Sequence, residues 1–391
     1  PGAVKSAYIA GKPDAQLGQQ VDRGFELYQK LHPGGPGRHE IKIIKRDSTG
    51  PKPDVAKRLA TELITRDRVD IIAGVVYSNN AFAISDVTRK AKVPFLIMNA
   101  GTASITTRSR YTARVSFTMW QSAYPLGKYA YDKMKIRSAA VAYANYSPGR
   151  DSKNAFTKAF TGAGGKVVAD VPFPFPKIPD FTPFLQSVKD IAPDALYVFI
   201  PAGKWATGVM KTFDDLGMRA AGIRLIGPGD ITQDSELPNM GQIPLGVITM
   251  HHYSAAGERA ENRAFVKAWK GVYGVESTPD FFSVQGWDGM AAIHEVVRRL
   301  NGKIDADQAL SVLKGWKFNS PRGPIMIDPE TRDIVQNQYL RRVEKRGTML
   351  ANVEFETLEM VADPWKQMPV SYTHLRAHET RHDLVCRLLL E

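Results

Sequence analysis

Residues 69–107, VDIIAGVVYSNNAFAISDVTRKAKVPFLIMNAGTASITT, constrain the fold more than any other stretch. Two apolar runs, Val69–Val76 and Pro94–Met98, each end in a short polar loop, Tyr77-Ser78-Asn79-Asn80 and Asn99-Ala100-Gly101-Thr102. Between them Ala81–Lys90 has helical periodicity. Together these segments read as a β-α-β unit, which demands a parallel sheet with its loops at the carboxyl ends of the strands, where ligands sit. N–H groups at helix starts attract anions at that edge. Neither loop contains an obvious nucleophile or proton shuttle. The pattern suits gripping a small polar group rather than transforming it.

The rest of the chain continues the alternation. Strand-like runs fall at 3–10, 41–47, 138–143, 166–171, 195–200, 223–226 and 245–250. Helical periodicity falls at 19–31, 54–66, 122–134, 152–163, 181–191 and 204–216. In the second of these, Val55, Leu59 and Leu63 stack at i, i+4 and i+8. Late helices are predicted over 260–273, 282–300 and 305–313, and hairpins from Ile325 to about Phe355. Pro172-Phe173-Pro174-Phe175-Pro176 predicts an extended crossing segment. Strands alternating with helices in two blocks imply an α/β fold with two doubly wound lobes, each with a parallel central sheet. The late helices need a sheet to cover, and the first block offers one. Each lobe is then discontinuous: 1–118 with 252–325, and 119–251 with 326–365. Chain crossings near 118–121, 248–252 and 325–329 make a three-segment hinge around a cleft.

With 391 residues the chain suits two ordinary domains, and at 43% hydrophobic content both cores can be filled. No stretch approaches the roughly 18 consecutive apolar residues of a membrane span. Net charge is +12, but the basic residues are dispersed. A solvated basic surface explains this, as does attraction to anionic ligands. No helix-turn-helix arm, zinc finger or aromatic RNA-binding motif supports a nucleic-acid partner. Pro1 stands almost directly at the first strand-like run with no charged or apolar leader before it; a signal peptide is expected either to have been removed or never to have been included.

Residues 371–391, SYTHLRAHETRHDLVCRLLLE, stand apart. His378-Glu379-Thr380-Arg381-His382 matches the H-E-x-x-H spacing of zinc enzymes. It lies past Asp363-Pro364, where the alternation has stopped, and it lacks a folded context with a third ligand and a cleft. The segment resembles a read-through of vector or sequencing-adapter DNA and is set aside. Its Cys386 is the only cysteine, which excludes an internal disulfide. Neither a phosphate-binding GxxxxGK[ST] nor a GxSxG elbow is present. No cofactor and no metal are expected.

The order of several stretches over residues 3–365 resembles the type I periplasmic binding proteins, and more narrowly the leucine/isoleucine/valine-binding family of ABC importers. These stretches are Ala15-Gln16-Leu17-Gly18, the Ser78-Asn79 loop, Ala91-Lys92-Val93-Pro94 before Asn99–Thr102, Arg114–Thr118, Tyr146-Ser147-Pro148-Gly149, Pro193-Asp194-Ala195 and Gly286-Trp287-Asp288-Gly289. The resemblance implies a periplasmic or other extracytoplasmic receptor, a monomer without enzymatic activity, that closes on a small carboxylate and docks on a permease. It implies that Ser78, Asn79, Ala100, Gly101 and Thr102 hold the carboxylate, that Tyr146 covers the ligand, and that Ala202 and Gly203 contribute from the second lobe. Two departures bear on the ligand. Amino-acid binders place an acid after a Gly-Pro pair, whereas here Gly227-Pro228 is followed by Gly229 and only then Asp230; Leu17 stands where a tyrosine can occur. With Trp120, Tyr124, Trp205 and Tyr253 near strand ends or hinges, a hydrophobic or aromatic acid is favoured over a branched-chain amino acid.

Blander readings stand beside these. Ser78 and Thr102 are also helix-capping types. Asn99 can simply shape a turn. Tyr146 can end a strand in water, and Asp230 can cap the turn at 232–236. Trp120, Trp205 and Trp287 can be core residues, and Gln285 need not reach the cleft. His251-His252 reads as a loop feature. A ligand sensor or repressor core on the same fold, or an α/β enzyme, are the rival functions.

Overall fold

Four of the apolar runs and one further short strand pair into one parallel sheet. The computed structural model describes residues 4–10, 15–33 and 35–368, so the tail at 371–391 with its H-E-x-x-H match lies outside the described residues. The first block comprises β1 (Val4–Ala10), α1 (Ala15–Leu31), β2 (Ile41–Asp47), α2 (Pro53–Thr65), β3 (Ile71–Gly74), α3 (Ser78–Ala91), β4 (Phe95–Ile97) and β5 (Thr112–Arg114). Strand order is β2-β1-β3-β4-β5, with every neighbouring pair parallel. All residues of β3 and β4 are buried, which explains their unbroken apolar character. The sequence reading lacked β5. It is three residues long, with fully buried Thr112 and Arg114 flanking its one apolar residue.

The second block comprises α4 (Met119–Asp132), β6 (Ser138–Ala144), α5 (Ser147–Gly162), β7 (Lys166–Phe173), α6 (Thr182–Ile191), β8 (Ala195–Phe199), α7 (Lys204–Asp215), β9 (Arg224–Pro228) and β10 (Ile248–His251). Here β7-β6-β8-β9-β10 run parallel, repeating the order of the first sheet. The proline-rich crossing starts later than expected, because Pro172 and Phe173 still belong to β7. That strand ends the sheet, where a proline lacking its N–H is tolerated.

Three helices follow, α8 (Ala260–Tyr273), α9 (Phe281–Arg299) and α10 (Ala306–Leu313). They return to the first sheet, α9 packing on α1 and β3 and α10 beside β5. Glycines permit the α1–α9 approach. A Cβ at Gly24 would lie 1.9 Å from the Ser283 carbonyl oxygen, and one at Gly286 would lie 2.0 Å from that of Val21. The remaining strands, β11 (Lys317–Ser320), β12 (Gly323–Ile327), β13 (Ile334–Arg346) and β14 (Met349–Val361), extend the second sheet antiparallel from β10, and the short α11 (Pro364–Gln367) follows.

The chain therefore passes between the sheets three times, after Arg114, after His251 and after Leu313. The third passage precedes β11, ahead of the 325–329 expected from sequence, because β11 and β12 are already part of the second sheet. Arg322 ties these passages together. It is buried, and its Nε donates to Asp288 Oδ2 of α9 at 2.7 Å. Its Nη1 donates to the Ser116 carbonyl at 2.8 Å and to Gln336 Oε1 at 2.6 Å. Among the described residues no helix is long and apolar enough to cross a membrane.

Candidate functional site

In a parallel sheet of order 2-1-3-4-5 the crevice opens where successive connections leave in opposite directions, beside β1 and β3. The second sheet has the same switch between β6 and β8. Leu17, Ser78 and Asn79 lie just past the first switch point; Tyr146, Ala202 and Gly203 lie just past the second. Facing switch points thus bring six of the candidate residues to the gap between the sheets.

On the first side, β3 ends at Gly74, and Gly74 and the following Val75 are both at positive φ (100° and 72°). For a β-branched residue that is a strained conformation of the kind found at ligand clamps. It delivers Tyr77 and the start of α3. Ser78 and Asn79 open that helix, so their N–H groups have no intrahelical acceptor. Ser78 does not cap the helix; its Oγ accepts from the Thr102 N–H at 3.2 Å and so joins the two loops. Thr102 precedes a single 3-10 turn without capping it, and its buried Oγ1 has no hydrogen-bond partner. Asn99 does shape its turn, Nδ2 donating to the Val76 carbonyl at 2.9 Å, while its Oδ1 is left unpartnered. The Ala100 N–H is already given to the Val75 carbonyl at 3.1 Å. Gly101 sits against Phe117 and Met119, since a Cβ there would lie 3.1 Å from Phe117 Cε2 and 3.2 Å from Met119 Sδ. Arg114, to which the sequence reading gave no role, anchors the loop from behind: Nη2 donates to the Thr102 carbonyl at 2.7 Å.

On the second side, Tyr146 is buried rather than wet. Its ring stacks on Phe175 with centroids 4.1 Å apart and planes 7° apart. Phe175 in turn meets Tyr77 of the first lobe at 6.5 Å and Trp205 at 6.2 Å. Gly203 (φ 76°) donates its N–H to Gln233 Oε1 at 2.9 Å. The space where a Gly203 Cβ would stand is 3.7 Å from Leu17 Cδ2, so these two positions face each other across the gap. Two hydrogen bonds also span it: the Ala103 N–H to Asp151 Oδ2 at 2.8 Å, and Ser147 Oγ to Asn79 Oδ1 at 3.4 Å.

At the hinge end, the His251-His252 pair is not a loop feature. His251 closes β10, both rings are buried, and Phe117 lies against both, with centroids 5.6 Å and 5.1 Å away. Gln285 reaches this group, its Nε2 3.0 Å from His252 Nε2. Burial, reinforced for His251 by Arg341 and Arg322, pushes its pKa well below the ordinary histidine range, so the ring is neutral. Asp230 Oδ2, 3.8 Å from His251 Nε2, has no hydrogen-bond partner. Tyr253 is fully buried, its hydroxyl also unpartnered. Trp120 and Tyr124 stack on one another in a different apolar cluster from Tyr146 and do not join the site, and Trp287 packs on Tyr28 and Phe265. Among the described residues no group of three metal-ligating side chains occurs.

Burial lifts the Asp230 carboxyl to about 7, against smaller lowerings by its own backbone N–H and by Arg341. Its folded pKa lies above its unfolded one, so the folded state binds the extra proton. Its cost to stability is absent below about pH 3.8, grows as pH rises toward 7 and is complete above that. Asp230→Asn is therefore expected to raise the melting temperature of the ligand-free protein at pH 8, by the equivalent of a few kcal/mol at most, and to leave it nearly unchanged at pH 4. Calorimetric scans at the two pH values check this.

Two α/β lobes joined by three strands of chain, with polar loops facing an aromatic wall, define a two-lobe binding protein. The sequence profile of the periplasmic binding proteins matches residues 10–348, and the chain belongs to that family. It is 38% identical over 354 residues to Leu/Ile/Val-binding protein homolog 6 of Brucella melitensis, covering 90% of each chain. Among solved structures it is similar to an ABC-transporter solute-binding protein of Rhodopseudomonas palustris BisB5 in complex with 3,4-dihydroxybenzoic acid (43% identity, TM-score 0.89, 93% of this chain and 99% of that one). A second, from strain HaA2 in complex with p-hydroxybenzoic acid, has 37% identity and a TM-score of 0.89, with 93% and 99% covered.

Proposed function

We propose that this protein is the extracytoplasmic receptor of an ABC importer and that it captures an aromatic carboxylate of the benzoate type. The carboxylate is held at the start of α3 and by the Gly101–Thr102 segment, and the ring lies against Tyr146 and Phe175. The observation that carries this reading is the pairing of open helix-start N–H groups and an unpartnered Thr102 hydroxyl with a buried aromatic stack on the opposite lobe. The aromatic-acid complexes of the two solved relatives support it. The lobes are residues up to about 116 with 252–316, and 117–251 with 317–365, the division following sheet membership. The protein works as a monomer and releases its ligand unchanged to a permease.

A thermal-shift panel of benzoates, leucine, isoleucine, valine and short aliphatic acids tests the reading. A benzoate at 100 times its Kd should stabilise the protein by about 2.7 kcal/mol. Stabilisation by leucine alone would replace the aromatic reading with the branched-chain one.

A further inference from the structure

The aromatic-acid reading leaves one part of the cleft unused, and the inference here rests on that reading. Beyond Phe117 lies a buried polar corner formed by Asp230 and His251. Asp230 Oδ2 and both ring nitrogens of His251 have no hydrogen-bond partner, although Asp230 is 5% exposed and His251 0%. Buried polar atoms are ordinarily paired, and here two of them, Asp230 Oδ2 and His251 Nε2, stand 3.8 Å apart without a partner.

The corner has a built geometry. His251 is held by Phe281 at 4.5 Å, edge to face, and by Phe117. The glycine that displaces the acid by one residue after Gly227-Pro228 has a physical reason. A Cβ at Gly229 would lie 2.1 Å from Arg341 Nη2 and 2.5 Å from His251 Cγ. No side chain fits there while His251 and Arg341 keep their places, so the acid stands at Asp230. Phe117 links this corner to the carboxylate loops: its ring borders Gly101 and also lies 5.6 Å, centroid to centroid, from His251.

We propose that Asp230 and His251 recognise a hydroxyl on the ring position opposite the ligand's carboxylate, making the receptor selective for 4-hydroxylated aromatic acids over unsubstituted ones. A hydroxyl both donates and accepts, and so satisfies the Asp230 carboxyl and a neutral imidazole together. Benzoate fills the same space and leaves both unpaired and cut off from water. Sites built to hydrogen-bond a hydroxyl reject analogues that lack it far more strongly than apolar pockets reject a missing methylene.

Isothermal titration with 4-hydroxybenzoate and benzoate on the wild type, Asp230→Ala, His251→Phe and Tyr146→Ala tests this. The wild type should bind 4-hydroxybenzoate at least about tenfold more tightly than benzoate. In Asp230→Ala and His251→Phe that ratio should fall toward one, whereas Tyr146→Ala should weaken both acids and preserve the ratio. Equal wild-type affinities, or a ratio that survives in Asp230→Ala, overturn the assignment while leaving the aromatic-acid reading intact. Binding of neither acid overturns both. Should His251→Phe fail to fold, Asp230→Ala alone decides, its folding verified by the melting curve.

Discussion

Asp288→Ala is expected to destabilise the protein by about 3–5 kcal/mol, the cost of removing one partner from a buried ion pair. For a chain of 391 residues that corresponds to a fall in melting temperature of roughly 4–6 °C. The side chains of Asp288 and Arg322 are both 0% exposed. The carboxylate accepts from Arg322 Nε at 2.7 Å and from Ser320 Oγ at 2.9 Å. Without it, the guanidinium keeps its bonds to the carbonyls of Val115 and Ser116 and to Gln336 but has no counter-charge. Burial still holds the Asp288 carboxyl up at about 6 despite its partner, and lowers Arg322, so attraction does not fully offset desolvation. The double variant Asp288→Leu/Arg322→Leu should then lose less stability than Asp288→Ala. Chemical denaturation of the three proteins measures both quantities. A melting temperature for Asp288→Ala within 2 °C or so of wild type would show that this pair does not hold the hinge.

That network was invisible in the sequence because its members are scattered over more than 200 positions and none belongs to a periodic pattern. The elements themselves were readable. β3 and β4 fall inside the marked apolar runs, because strands buried on both faces leave no room for polar residues, while α3 starts at Ser78, earlier than the 81–90 that helical spacing marked. β5 escaped for the opposite reason. Its short span carries Arg114, whose charge is offset by Asp363 and Asp151, with Asp333 3.4 Å away, and whose N–H groups are accepted by the carbonyls of Thr102 and Phe117. The third passage between lobes was misplaced because a β hairpin pattern does not tell which of two sheets it will join.

The site divides in the same way. Ser78 and Thr102 could be singled out because their loops follow parallel strands, at whose carboxyl ends ligands sit; Tyr146 was marked only by the family resemblance. Aromatic residues could not be sorted by type. Trp120 and Trp205 look alike in sequence, yet Trp205 meets Phe175 while Trp120 belongs to the core behind α4. The His251-His252 pair was undervalued because adjacent residues on a strand point to opposite faces. Here the strand ends at His251, so the chain turns and both rings pack against Phe117.

Tyr146→Ala should raise the Kd for the ligand by roughly 10- to 100-fold, the loss of one stacked, buried aromatic contact and its share of desolvation. In the proposed binding mode an open protein holds ligand on the first lobe and does not use Tyr146, which follows β6 of the second sheet. Its contribution is made on closure alone, and only such differential contacts shift an open–closed equilibrium. Moving that equilibrium from 1:99 to 99:1 takes about 5.5 kcal/mol, of which one ring can supply a substantial part. The effect should therefore appear in the dissociation rate, with association changed little. Tyr146→Phe separates ring from hydroxyl: if stacking on Phe175 carries the effect, Phe retains affinity to within a few-fold and Ala does not. Rapid-mixing fluorescence with each variant gives both rate constants. Undiminished affinity in Tyr146→Ala, with an intact melting curve, would remove the second-lobe wall from the binding mechanism. The carboxylate loops of the first lobe would then account for capture by themselves.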